Sequence, residues 1–230
     1  MCSLLNTIAP AIWTSVFSQY EAALGLKANK MKPDKKKDLL VLDKWFQTEL
    51  PKLIESRSPK HVTHEELCKL MKWKLTRGKF RPRLTEMVAS NSEDEVVAAS
   101  TKAFKALPNI SAAIQALSVL KAVGPATASA VLAAGSPQNA AFMADECLLA
   151  FPGLQPIKYD LPFYMAYIDK VKPICKQLNK DNPDAGWTPH KVELTLWTYQ
   201  MIHALDPALS ASLMEESHAD REPPRKKQKK

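Results

Sequence analysis

Leu117-Ser-Val-Leu-Lys-Ala-Val-Gly-Pro-Ala-Thr-Ala128 joins two helical patterns through one short turn. Ile114, Leu117 and Leu120 recur at helical spacing, so the segment before the turn reads as an amphipathic helix over Ser111–Ala122. Val123-Gly124-Pro125 forms the turn. Gly124 permits tight chain reversal and a close backbone approach. Pro125 presets the first turn of a second helix, over Pro125–Ala134. Ala126, Ala128 and Ala130 are small enough to let the two helices pack closely. Backbone N–H groups at the start of such a helix point outward and can bind a phosphate.

The rest of the chain supports an all-α reading. Of its 230 residues 46% are hydrophobic, enough for a sizeable core, and only 6 are glycine, which disfavours many short strands with tight turns. A helix is expected over Leu4–Leu26, with Ile8, Ile12, Val16 and Tyr20 about four apart and Gly25 as its stop. A lysine-rich connector follows, with Lys27, Lys30, Lys32, Lys35, Lys36 and Lys37 interrupted by Pro33 and Asp34. Helix is expected again over about 38–50, and Pro51 starts a further short one. Thr63-His-Glu-Glu66 and Ser92-Glu-Asp-Glu95 have the spacing of capping boxes, in which side chain and backbone satisfy each other at a helix start. Gly78 suits the end of the helix that Thr63 opens. A helix over Phe163–Leu178 is expected to kink or end at Pro173. Thr188 with Pro189 is a strong start signal for a helix to about Leu205, burying Val192, Leu196, Tyr199 and Ile202. These elements make one helical domain over 1–214, with room for two lobes and the hairpin at 111–134. A disordered basic tail over 215–230 follows, because apolar content stops after Met214.

Leucine-rich helix, turn and alanine-rich helix together resemble the helix-hairpin-helix motif, in particular that of the helix-hairpin-helix DNA glycosylase superfamily. Val123, Gly124, Pro125, Thr127 and Ala128 match its hairpin, and Asp145 in Phe142-Met-Ala-Asp-Glu146 lies close to where the family aspartate falls. The likeness is specific over about 112–148. It implies a glycosylase-like helical fold and DNA-backbone contacts from Val123, Gly124, Pro125, Ala126 and Thr127. Two departures bear on chemistry. Ala122 stands where the family has its first hairpin glycine, and Ala126 where lyase-type members carry a lysine. The resemblance therefore implies a monofunctional glycosylase or a member that only binds DNA, and disfavours lysine-dependent lyase activity.

Base excision needs a carboxylate near the sugar, to stabilise developing positive charge or activate a water, and a pocket for a base flipped out of the stack. Asp145 is the candidate carboxylate; it also suits the N-cap of a helix over Glu146–Ala150. Glu146 on that helix is expected to point elsewhere. Trp73, Phe80, Tyr159, Tyr164, Trp187 and Trp197 are available aromatics, and the sequence does not choose a stacking platform among them.

Lys69–Arg83 holds seven basic residues and no acid, with Trp73 and Phe80 interleaved. Its second half, Arg77–Arg83, reads as a loop bounded by Gly78 and Pro82. Lys74, Arg77, Lys79, Arg81 and Arg83 are candidate phosphate contacts, and a solvated basic face is the plainer alternative. An RNA or an acidic protein fits these residues equally well.

Net charge is +8, of which Arg221–Lys230 contributes +5, so the folded body is only mildly basic. Arg225, Lys226, Lys227, Lys229 and Lys230 behind Pro223 and Pro224 read as a nuclear localisation signal, implying a nuclear protein with an import receptor as partner. No apolar run reaches bilayer length, so no membrane association is expected. Cys2, Cys68, Cys147 and Cys175 lie far apart with no metal-ligand spacing, so a metal, a cofactor and a disulfide framework are not expected. Three functions remain: a glycosylase using Asp145, a nucleic-acid-binding module without chemistry, and a helical interaction scaffold.

Overall fold

The computed structural model describes residues 3–180 and 183–219, and every described element is helical. The described residues form thirteen α-helices, with two at the centre: α9 (Pro125–Gly135) and α12 (Pro189–Leu205). Both are buried nearly all round. Every residue from Thr127 to Gly135 is buried in α9, and Val192 to Tyr199 without interruption in α12. A helix enclosed on all faces needs small or apolar residues throughout, and polar ones only where a partner waits. In α12 the Thr195 and Thr198 hydroxyls donate to the carbonyls of Lys191 and Leu194 at 2.8 and 2.7 Å.

Around these lie α1 (Pro10–Ser18) and α2 (Tyr20–Asn29), which pack on α12. Next come α3 (Pro33–Lys44) and α4 (Leu50–Glu55), joined by a π-helical turn over Trp45–Glu49. Helix α5 (His64–Arg77) crosses α3, α6 (Arg83–Ala89) and α9. Helices α7 (Glu93–Ala106) and α8 (Ile110–Leu117) pair with each other. Then follow α10 (Asp145–Leu149) and α11 (Leu161–Leu178), both against α12, and finally α13 (Pro207–Ala219). At Gly135 a Cβ would lie 2.5 Å from the Phe104 ring, so a larger residue there would have to displace that ring where α9 meets α7.

Local signals act where the sequence places them. Both capping boxes form: Thr63 Oγ1 and Ser92 Oγ accept from the Glu66 and Glu95 amides, and both glutamates bond back. Thr188 Oγ1 accepts from the Lys191 amide at 3.1 Å, and α12 spans the expected residues. Several boundaries differ. Helix α3 starts at Pro33, inside the segment read as a lysine-rich connector, and gives way to the π-helical turn at Trp45 instead of running to about 50. The N-terminal pattern is divided, because Pro10 starts α1 and the chain breaks at Gln19; Gly25 sits inside α2, where a Cβ would meet nothing within 4 Å. Helix α11 continues across Pro173. Helix α8 stops at Leu117 rather than Ala122. Backbone helix in α13 runs to Ala219, past the expected start of the tail at 215. The localisation residues Arg225–Lys230 lie outside the described residues. Among the described residues no helix is long and apolar enough to cross a membrane, and Cys68, Cys147 and Cys175 are free thiols.

Candidate nucleic-acid interface

The hairpin turn is held from two sides. Val123 is 2% exposed and anchors it in the core. Buried Asn91 clamps it from the α6–α7 loop, donating to the Lys121 carbonyl at 3.1 Å and accepting from its amide at 2.8 Å. Ala122 adopts φ +63°, the left-handed conformation that favours glycine, at the position where the helix-hairpin-helix pattern has its first glycine. Gly124 is extended (φ −87°, ψ −176°) and open to solvent, so its missing Cβ matters for approach from outside and not for the turn itself. Pro125 has no N–H, and the Thr127 and Ala128 amides close onto the Gly124 carbonyl at 3.0 and 2.9 Å. The Gly124 and Ala126 amides donate to no acceptor among the described residues, at the positive end of α9.

Beside this turn lies a cleft of about 830 Å³, within the range of small-ligand sites. Its walls come from four parts of the chain: the hairpin (Ala122, Val123, Gly124, Ala126, Thr127), the basic segment (Lys74, Arg77, Lys79, Arg81), the start of α10 (Asp145, Glu146), and Tyr159. Leu75, Leu84, Leu120, Phe142 and Met143 supply an apolar floor.

Lys74 reaches in from α5 and donates to Thr127 Oγ1 at 3.1 Å, tying the basic segment to the first turn of α9. Burial, and secondarily Arg81, lower its pKa from the usual 10.5 to about 8, while Asp145 acts in the opposite sense. Asp145 is delivered by the stretch before α10: the Met143 amide donates to Ser129 Oγ of α9 at 3.0 Å, and the Tyr164 hydroxyl donates to the Ala141 carbonyl at 3.1 Å. It is the first residue of α10 behind an Ala144 cap and makes no capping hydrogen bond, contrary to the capping alternative. Instead Asp145 Oδ1 accepts from the Tyr159 hydroxyl at 2.8 Å. The Arg81 guanidinium lies 5.6 Å from the Tyr159 ring centroid, so the basic loop and the 155–160 loop meet across the mouth of the cleft. Burial first, then the bond to Asp145, raises the Tyr159 phenol.

Arg77 corrects the sequence reading. It is 1% exposed, with Nη1 3.1 Å from Glu193 Oε1 and Nε 4.0 Å from Asp43 Oδ1, and its guanidinium lies 4.3 Å from the Trp197 ring centroid. It ends α5 and turns its head group onto Glu193 and Trp197 of α12; although it borders the cleft, its near-complete burial makes it a core ion and not a surface phosphate contact. Burial alone would raise the Glu193 carboxyl; Arg77 and His190 outweigh it and hold the group below its usual value. Glu146 also departs from expectation: it lines the cleft and pairs with Lys27 of α2 at 3.3 Å. Arg83 and Pro125 lie outside the cleft lining, Arg83 exposed as the first residue of α6. Among the candidate aromatics Trp73, Tyr164, Trp187 and Trp197 are buried, while Phe80 and Tyr159 are exposed. The role of Tyr159 beside Asp145 rests on a contact 14 residues away through an irregular loop, for which the sequence carries no periodic signal.

Comparison with protein-family models, with curated proteins and with solved structures finds no match to this chain.

Proposed function

We propose that the protein binds DNA through this cleft and accommodates there a nucleotide turned out of the duplex, with Asp145 placed for release of its base. The observation that carries the reading is convergence: the hairpin and Asp145, singled out by one resemblance, and the basic loop, singled out by its charge, line one cleft. The Gly124 and Ala126 amides and the Lys79 and Arg81 side chains are suited to backbone phosphates. The apolar floor is suited to the faces of an extruded base. Asp145 lies near Lys74 in this cleft and supplies a carboxylate suited to opposing positive charge that develops at the sugar. Ala126 carries no amine, which favours hydrolytic release over strand cleavage through a hairpin lysine.

A second reading, a nucleic-acid-binding module on the same glycosylase-like fold, draws on the Tyr159 hydroxyl that already occupies Asp145 Oδ1. Binding and base release on duplexes carrying a panel of altered bases separate the two. The catalytic reading expects release by the wild type and none by Asp145→Asn, with affinity retained. Salt-sensitive binding with no release by either protein selects the binding module. Absence of DNA binding rejects both.

A further inference from the structure

The lysine-rich connector and the basic segment lie about forty residues apart in sequence, yet α3 packs against α5 and brings them together. Between them runs a second groove, of about 520 Å³, walled by Met31, Leu75 and Phe80 and rimmed by Lys32, Lys35 and Lys72. Phe80 is 66% exposed at the tip of the 78–82 loop, an unusual setting for a large apolar ring. The loop alternates: Lys79 and Arg81 line the cleft, while Phe80 lines the groove. Leu75 and Gly78 belong to both, so the two sites lie back to back across one loop. Lys72 is engaged by Asp38 at 3.2 Å; Lys32 and Lys35 are exposed cations.

We infer that this groove is a subsite for unpaired nucleic acid, seating one unstacked base against Phe80 with the flanking phosphates on Lys32 and Lys35. An aromatic ring set among lysines matches a polymer that alternates flat π-faces with anions. In a duplex those faces are covered by neighbouring bases, so only an unpaired stretch reaches Phe80. An acidic peptide satisfies the lysines but gives the ring no flat partner. The inference takes the identity of the polymer from the DNA-binding reading above and adds a preference for single strand next to duplex.

The test is fluorescence anisotropy of the full chain with a blunt duplex, the same duplex carrying a short unpaired extension, and the unpaired strand alone. The extension is expected to tighten wild-type binding. Phe80→Ala is expected to lose roughly 5- to 100-fold on the extended probe while staying within about twofold on the blunt duplex. Phe80→Trp should retain the preference, and Lys32→Ala with Lys35→Ala should lose it. Equal wild-type affinity for blunt and extended probes overturns the inference, as does an equal loss on both in Phe80→Ala. Displacement of the extended probe by poly-glutamate as readily as by an unpaired strand of equal charge also overturns it, marking a surface for acidic polypeptide. A wild type that ignores the blunt duplex yet binds the unpaired strand through Phe80 retires the cleft reading and upholds this one.

Discussion

Replacing Arg77 with Met separates a core role from a phosphate contact. The guanidinium is enclosed by Trp73, Phe142 and Trp197 and pairs with Glu193, which is 0% exposed, and with Asp43, which is 2% exposed. Asp43 also accepts from the Trp73 indole at 2.9 Å and the Tyr20 hydroxyl at 2.9 Å, so it keeps partners when Arg77 leaves. Glu193 keeps His190, whose Nδ1 lies 3.5 Å from Oε2, and the weak thiol donor of Cys147, whose Sγ lies 3.7 Å from Oε1. Removing one partner of a buried pair costs about 3–5 kcal/mol, mostly the penalty of the charge left behind. For a chain of this size that is a fall in melting temperature of roughly 6–20 °C. Thermal unfolding followed by circular dichroism at pH 7 reads it directly. Adding Glu193→Gln to the Arg77→Met background removes the orphaned charge and should recover part of the loss. A melting temperature unchanged within about 2 °C, where a surface substitution would leave it, refutes the argument.

Four further outcomes follow, three from the geometry and one from the sequence of the tail. Lys74 has a folded pKa near 8 against a usual 10.5, so the unfolded chain binds more protons between those values and stability should rise with pH across that window; Lys74→Met should flatten the rise, as urea unfolding from pH 7 to 10 would show. DNA affinity should run the other way, weakening as Lys74 loses its charge above about pH 8, and only in the wild type. Ala122→Gly relieves the left-handed alanine and should stabilise by about 1 kcal/mol, whereas Ala122→Val should destabilise, both measurable by denaturant titration. A fluorescent fusion lacking 221–230 should lose nuclear accumulation, and one that stays fully nuclear removes the tail as a localisation signal.

How far the sequence reaches depends on whether a signal is local. Thr63, Ser92 and Thr188 act through bonds to residues three positions on, and all three start the helices read from them. Helix ends were less legible. Pro10 and Gln19 divide an apolar pattern that is continuous by spacing alone, while Pro173 is absorbed within a helix packed on α12. The hairpin was legible because its turn chemistry is compact, and Ala122 takes the backbone conformation its position requires without being glycine. Arg77 was misread because a run of cations looks alike on a surface and in a core; what separates it from Lys79 two residues later is Glu193, 116 residues away. The closeness of Lys74, Thr127, Asp145 and Tyr159 is tertiary in the same sense, set by the packing of α5 on α9 and by Ser129 holding the stretch before α10.

The central claim is that the cleft grips the backbone of DNA, and the salt dependence of duplex binding tests it most directly. Each phosphate neutralised contributes about 0.9 to the slope of log K against log salt concentration. The account predicts salt-sensitive binding by the wild type and a slope shallower by about 2 for Lys79→Ala with Arg81→Ala. It also predicts weaker binding at unchanged slope for Gly124→Val, whose side chain enters open space without disturbing the fold. A slope that stays the same when both cations are removed, with Gly124→Val binding as tightly as the wild type, would contradict it.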